Sequence, residues 1–355
     1  MKTLVTGANG FMGSAVVREL LKDGTEVRAL VRQGSDARNL DGLDVETVRG
    51  DLCDADSIRR AVEGCRQVFH VAAMVAFWVP PVDRDRFTAV NVVGTKNVLN
   101  AARDLGVEKV VYTSTISTIG SFGRQTPTNE EHYFNMWNMS MEYEKSKYSA
   151  EFEAWRYAAR GLPVVAVLPA APVGPRDIKP NPVGKLILDF LHRKIPGIIE
   201  GGGNFIDVDD IAYGHVLAAK RGKTGERYIL GDQNLSVVEL FGAMEAISGV
   251  KAPRMKVPYA GALALSHILT FMADHVTGRH PLITPPLVKM SSQYYYVETS
   301  KAREELGFVP RSNPIVALLK AIRWFLDNDY VKLSEPRKDA IRRRLEAQPE
   351  WAQVT

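Results

Sequence analysis

Gly7, Gly10 and Gly13 lie in the run Thr6-Gly7-Ala8-Asn9-Gly10-Phe11-Met12-Gly13, between an apolar run at 3–6 and a helix-period segment at 12–22. A glycine-rich turn that leaves a strand and opens a helix restricts what can follow. It lets backbone approach a pyrophosphate, whose charge is stabilised by the N–H groups at the helix start. Gly7 would make the tight turn, Gly10 permit close approach, and Gly13 let helix and sheet pack closely. The spacing is GxxGxxG, not the GxGxxG of the common dinucleotide fingerprint. A turn that merely packs the helix is the competing reading, and the order of the flanking elements weighs against it.

Apolar runs recur at 27–31, 45–48, 68–72, 109–113 and 164–168, and helix-period segments fill 12–22, 57–63, 88–105 and 142–160. Strands alternating with helices predict βαβ units and a parallel sheet. The runs are nearly continuous in Val, Leu and Ala, as when helices cover both faces. Ser57 and Gly106 fit cap positions. The fold class is therefore α/β: a Rossmann-type doubly wound sheet with a smaller C-terminal α/β substrate domain. The length of 355 residues suits two domains. Prolines cluster from Pro163 to Pro182. The expected division is 1–170 for the dinucleotide domain, with 204–232 returning to it, and 171–203 plus 233–330 for the substrate domain. Both 205–208 and 228–230 are expected to rejoin the main sheet.

Composition excludes other classes. Hydrophobic residues are 45%, charged residues 24% and the net charge is +4, which is far from a nucleic-acid binder's basic stripe. Cys53 and Cys65 offer no zinc spacing or disulfide framework and read as buried inert thiols in a reducing, cytoplasmic setting. Met1-Lys2 runs straight into an apolar strand, so no leader is expected. The near-apolar run at 260–273 is shorter than the roughly 18 residues that a membrane span needs. Residues 331–355 carry six basic against four acidic side chains, so half the net charge sits in a C-terminal tail. A solvated tail helix is the plainer reading, and a peripheral contact with an anionic membrane is the alternative.

The candidate chemistry lies at strand ends. Arg32 follows the second strand, where an NAD-selective site would place an acidic residue. A guanidinium suits the 2′-phosphate of NADP, and Arg38 stands nearby. This predicts NADP(H) in preference to NAD(H). Asp51, after the third strand, is either an adenine contact or a helix cap. Tyr143 and Lys147 form the chain's YxxxK and share one helical face. A nearby lysine cation would lower the tyrosine pKa and could hold the nicotinamide ribose. Thr115, with Ser114 in reserve, would position the substrate oxygen. His70 reads as a buried histidine satisfied by backbone. The Asp207–Asp210 cluster reads as a helix N-terminus, with no metal expected. Phe77, Trp78, Met136 and Trp137 lie in aromatic- and Met-rich stretches flanking the cleft, which suit an apolar pocket or a packed loop.

The blocks TGANGFMG, HVAA, VNVVGTKN, YTSTISTIG, YEKSK and FIDVDDIAYGH occur in an order that resembles the extended short-chain dehydrogenase/reductase superfamily over residues 1 to about 328. The run from Leu168 to Pro175 resembles the branch holding dihydroflavonol reductase, 3β-hydroxysteroid dehydrogenase and hopanoid-associated relatives. Thr115 departs from the more usual serine. The resemblance implies cofactor contacts by Gly7, Gly10, Phe11, Met12, Gly13, Arg32, Asp51, Leu52, Ala72, Thr113, Tyr143, Lys147 and Pro169. It also implies that Asn91 orders the lysine through water, and a homodimer built on helices 88–105 and 142–160. The expected activity interconverts a ketone and a secondary alcohol on a hydrophobic, polycyclic small molecule. A nucleotide-sugar epimerase holding NAD tightly and a non-catalytic dinucleotide-binding protein are the alternatives.

Overall fold

The computed structural model describes residues 2–347 apart from 77, 122, 125, 138–140, 279, 280 and 282. Seven parallel strands form the main sheet: β1 (Lys2–Thr6), β2 (Glu26–Val31), β3 (Glu46–Arg49), β4 (Gln67–His70), β5 (Lys109–Thr113), β6 (Val164–Pro169) and β9 (Arg227–Leu230). Their order is β3-β2-β1-β4-β5-β6-β9, with Thr3 beside Val27 on one side and Gln67 on the other. The order therefore reverses between β1 and β4, which opens a crevice at their carboxyl ends.

Helices cover both faces: α1 (Phe11–Lys22), α2 (Ala55–Val62), α3 (Asp85–Phe87) continuing through a π-helical stretch (Thr88–Val93) into α4 (Gly94–Asp104), α5 (Glu142–Ala158) and, after α6 (Pro182–Leu191), α7 (Val208–Arg221). Val16, Val17 and Leu20 of α1 are buried against the core that includes Leu4 and Val5. Each such side chain contributes roughly 1.5–3 kcal/mol on leaving water. The C-cap Asp23 and left-handed Gly24 end α1.

A second sheet holds β7 (Ala171–Val173), β8 (Gly202–Asp207), β10 (Gln233–Ser236) and β11 (Tyr294–Tyr295). A second core joins α6, α8 (Val237–Ser248), α11 (Pro314–Asp327) and α12 (Glu335–Glu346). Between α8 and α11 lie α9 (Tyr259–Met272) and α10 (Pro285–Ser291). Among the described residues no helix is long and apolar enough to cross a membrane.

Four expectations are corrected. The 205–208 run does not rejoin the main sheet: β8 pairs with β10, β7 and β11, and Phe205 enters the second core. Its apolar pattern marks a buried strand without saying which sheet receives it. The cap of α2 is Asp54, which accepts the Asp56 and Ser57 N–H groups, so Ser57 lies inside the helix. Cys53 is exposed, and only Cys65 is buried. The tail is not a solvated helix: Ile341 and Leu345 of α12 are buried in the second core, and Arg344 donates to the Ala246 carbonyl.

Candidate active site

The glycine turn joins β1 to α1 at the crevice. Gly7 has φ +66°, and a Cβ there would lie 2.8 Å from the Ala72 Cα at the end of β4. A side chain is thus opposed both by the left-handed backbone and by space. A Cβ at Gly13 would collide with the Gly7 carbonyl oxygen. Gly10 caps α1 without a side-chain acceptor, and no acidic residue stands in the first turn. The start of α1 is therefore a bare, positively polarised helix end, and its residues fit a pyrophosphate. Leu52, Ala72, Thr113 and Pro169 lie along the same carboxyl edge, after or at the ends of β3, β4, β5 and β6.

At the end of β2, Arg32 is exposed. Its carbonyl accepts from the Ser35 N–H at 3.1 Å, the Ser35 hydroxyl at 2.6 Å and the Arg49 guanidinium at 3.4 Å. Arg49 ends β3 opposite Val31. Neither arginine makes an ion pair among the described residues, whereas Arg38 is paired with Asp36 at 2.9 Å. Arg49 was not foreseen, because its approach to Arg32 depends on strand pairing. Asn39 was missed too: its amide donates to the carbonyls of Asn9 and Arg176, fastening the glycine turn to the loop after β7. Asp51 caps no helix; its carboxylate accepts the Cys53 N–H at 2.9 Å.

Tyr143 and Lys147 sit in the first turns of α5. Burial pushes the Tyr143 phenol above its ordinary pKa, Glu144 adds to this, and the nearby Thr115 hydroxyl opposes it. Lys147 is buried, donates to the Thr113 carbonyl at 2.6 Å and lies 4.6 Å from the Tyr112 ring centre. Burial pulls its pKa down to about 7, against the field of Glu151. The net direction for the phenol is thus upward, where Lys147 was expected to lower it. Burial likewise raises the Glu144 carboxyl to about 7.

Ser114 and Thr115 point to different partners. Ser114 donates to Glu151, which also accepts from Thr118 at 2.9 Å and pairs with Arg227 at 2.8 Å. That buried network consumes the reserve hydroxyl. Thr115 begins a short 3₁₀ turn, accepts the Ser117 N–H at 3.3 Å and meets Tyr143. Asn91 holds Met74 through its N–H at 2.7 Å and its carbonyl at 3.0 Å, and donates to the Ser146 hydroxyl at 2.9 Å. These bonds direct it to the loop after β4 and to α5.

His70 is satisfied by side chains, not backbone. Thr6 accepts the Val71 and Ala72 N–H groups and its hydroxyl lies 2.8 Å from His70 Nδ1; Nε2 lies 2.9 Å from Thr95. Burial holds the ring neutral, with its pKa near 3. Each carboxylate of the acidic cluster has a cation: Asp207 with Lys320, Asp209 with Arg176, Asp210 with Arg311.

Of the four substrate residues, Phe77 lies outside the described residues. Trp78 is half-buried and donates to Asp274 at 3.1 Å. Met136 is buried beside Gly120. Trp137 is half-exposed, 4.9 Å from Phe134 and 5.2 Å from Tyr148. Tyr148 is about 100° around α5 from Lys147. Met136 and Trp137 thus pack against neighbouring loop and α5 side chains, and Trp78 lies on the loop after β4.

Residues 3–231 match the model of the NAD dependent epimerase/dehydratase family. The chain belongs to that family. A Synechocystis sp. protein, provisionally named dihydroflavonol 4-reductase, is 42% identical over 92% of this chain and 95% of its own length. Sterol demethylase protein B of Methylococcus capsulatus is 35% identical over 93% of this chain and all of its own. The crystal structure of gox2253 superposes with a TM-score of 0.82 at 39% identity, covering 93% of this chain and 99% of that one. This family member is an NAD(P)-binding oxidoreductase of the extended short-chain dehydrogenase/reductase type.

Proposed function

We propose that the protein is an NADP(H)-dependent oxidoreductase that interconverts a ketone and a secondary alcohol on a hydrophobic, polycyclic small molecule. The observation that carries this reading is the approach of the Tyr143 phenol, on α5, to the Thr115 hydroxyl just after β5, close enough for that hydroxyl to act on the phenol, with Ser114 bonded to Glu151. Two hydroxyls from different elements then converge on one place where a carbonyl oxygen can sit.

In the reducing direction, the Tyr143 phenol gives its proton to that oxygen as general acid. A phenol carries its proton at neutral pH, so Tyr143 is in the donating form. Thr115 orients the oxygen by hydrogen bonding. Lys147 and the glycine turn are the residues that would hold the nicotinamide ribose and the pyrophosphate. When bound, the nicotinamide supplies the hydride that completes the alcohol. The oxidising direction runs the same proton back to Tyr143.

Arg32 and Arg49 support NADP(H): two guanidinium groups without carboxylate partners among the described residues suit an additional phosphate dianion. The reductase and sterol names of the two relatives support a hydrophobic carbonyl compound. The test is NADPH consumption by the purified protein over a panel of cyclic and polycyclic ketones. Turnover of at least one ketone is expected, with NADPH favoured over NADH. Tightly co-purified NAD with no net redox change would instead indicate an epimerase.

A further inference from the structure

Residues 246–297 carry five basic side chains (Lys251, Arg254, Lys256, Arg279 and Lys289) and one acidic, Asp274. Their surplus of +4 equals the net charge of the whole chain, so the remaining residues are neutral in sum. Asp274, in the π-helical turn (Ala273–Thr277) after α9, is itself matched by Arg84 at 3.3 Å. Within this basic stretch, residues 257–273 hold no Asp, Glu, Lys or Arg, and they contain α9. A helix on a folded surface ordinarily turns its apolar stripe inward. In α9 the stripe faces out. Ala262 and Ser266, one turn apart, are buried, and so is the Thr270 hydroxyl one turn further on. Leu265, Ile268, Phe271 and Met272 recur at three- and four-residue spacing on the other side, and Ile268 and Phe271 are 61% and 60% exposed. Val276, in the turn beyond, is 65% exposed, and His275 stacks on Phe271 with ring centres 4.5 Å apart. Arg254, Met255 and Lys256 are exposed just before the helix starts at Tyr259. Neighbouring exposed apolar side chains of this kind mark an interaction surface.

We propose that this face of α9 docks on an anionic phospholipid bilayer and lies along its surface, with Leu265, Ile268, Phe271 and Met272 at the boundary of headgroups and acyl chains. An uncharged apolar face flanked by bases has the two attractions that hold a helix in that plane: apolar burial, and the pull of lipid phosphates. At 14 residues the helix is about 21 Å long, too short to cross roughly 30 Å of hydrocarbon. Lys256 pairs with Glu200 at 3.0 Å and Lys251 with Glu245 at 3.2 Å, and both lysines are exposed. Exposed pairs of this kind are weak, so the two ammonium groups can turn to lipid phosphates at little cost. A second copy of the chain suits the face less well. In a two-fold contact the same patch meets itself, which sets the basic flanks of one copy against those of the other. The contact does not depend on the proposed function.

Sedimentation of the full chain with vesicles tests this. Vesicles of phosphatidylglycerol mixed equally with phosphatidylcholine are compared with phosphatidylcholine alone. Binding to the mixed vesicles is expected to be at least about tenfold tighter, and to fall as salt is added. Ile268→Glu/Phe271→Glu should weaken it about tenfold or more, whereas Val238→Glu, at a similarly exposed apolar position on α8, should leave it within about twofold. Both α9 positions are exposed, so the melting temperature should stay close to wild type. Ile268→Ser/Phe271→Ser, which adds no charge, should also weaken binding, and it decides the matter if the glutamates lower the melting temperature. Three results overturn the proposal: no wild-type binding to the mixed vesicles, equal binding to both kinds, or equal binding by wild type and the α9 variants. Light scattering adds a fourth. A wild-type dimer that Ile268→Glu/Phe271→Glu dissociates, without vesicle binding by either, would show that a second copy covers the face.

Discussion

Lys147 Nζ donates to the Thr113 carbonyl at 2.6 Å, tying the helix of the YxxxK pair to the last residue of β5. This bond sets the distance between Tyr143 on α5 and Thr115, two residues beyond the strand. A cation in this place orders two catalytic groups at once. Lys147→Met should keep the fold and lose turnover by about 10²-fold or more. Lys147→Arg should not rescue it, because a planar guanidinium does not fit a site shaped for one buried ammonium. Steady-state kinetics alongside thermal melting would separate the loss of activity from loss of fold.

Gly7 carries a second expectation. Gly7→Ala places a Cβ in a left-handed conformation, at a cost of about 1–2 kcal/mol from the backbone alone. Its contact with the Ala72 Cα adds to this. The variant should melt several degrees lower and bind NADPH at least about tenfold more weakly. Calorimetric titration with NADPH checks the second effect.

Cofactor choice tests the arginine pair. Arg32→Ser and Arg49→Ser should each weaken NADPH by about tenfold while leaving NADH within about twofold, since a charge-assisted bond is lost only for the phosphorylated cofactor. Fluorescence titration with both cofactors gives the ratio. Equal weakening of NADH and NADPH would place the two arginines outside the 2′-phosphate site.

Burial gives Glu144 a measurable pH signature. Its carboxyl is raised to about 7, and one oxygen is buried without a hydrogen-bond partner among the described residues. The folded state therefore holds a proton that the unfolded chain releases above about pH 4.3. Unfolded chains bind fewer protons across that window, so this group's contribution to stability falls as pH rises from about 4.3 to 7 and then levels off. Glu144→Gln removes the slope. The stability difference, variant minus wild type, should grow by about 1–3 kcal/mol between pH 5 and 8 in urea unfolding.

The sequence made some parts of this legible for physical reasons. The strand–turn–helix around Gly7 and the i, i+4 pair Tyr143/Lys147 are local patterns, and local patterns survive folding unchanged. Thr115 was preferred with Ser114 in reserve, and the bond from Ser114 to Glu151, 37 positions away, had no local signal. Phe205 read as a core strand, but its sheet depended on pairing with β10 and β11. Asn39 and Arg49 gave no local signal. Asn39 acts on Arg176 across 137 positions, and an asparagine in a loop looks like any turn residue until both ends are placed. Met136 and Trp137 were ambiguous because a packed loop and an apolar pocket use the same side chains.

The account turns on Tyr143 as the proton donor, and Tyr143→Phe tests it most directly. Removing one hydroxyl leaves the ring packing and the Lys147–Thr113 bond intact. With NADPH and the best ketone of the panel, the variant should bind NADPH with wild-type affinity and lose turnover by about 10²-fold or more. Turnover at the wild-type rate, with NADPH binding unchanged, would contradict the account.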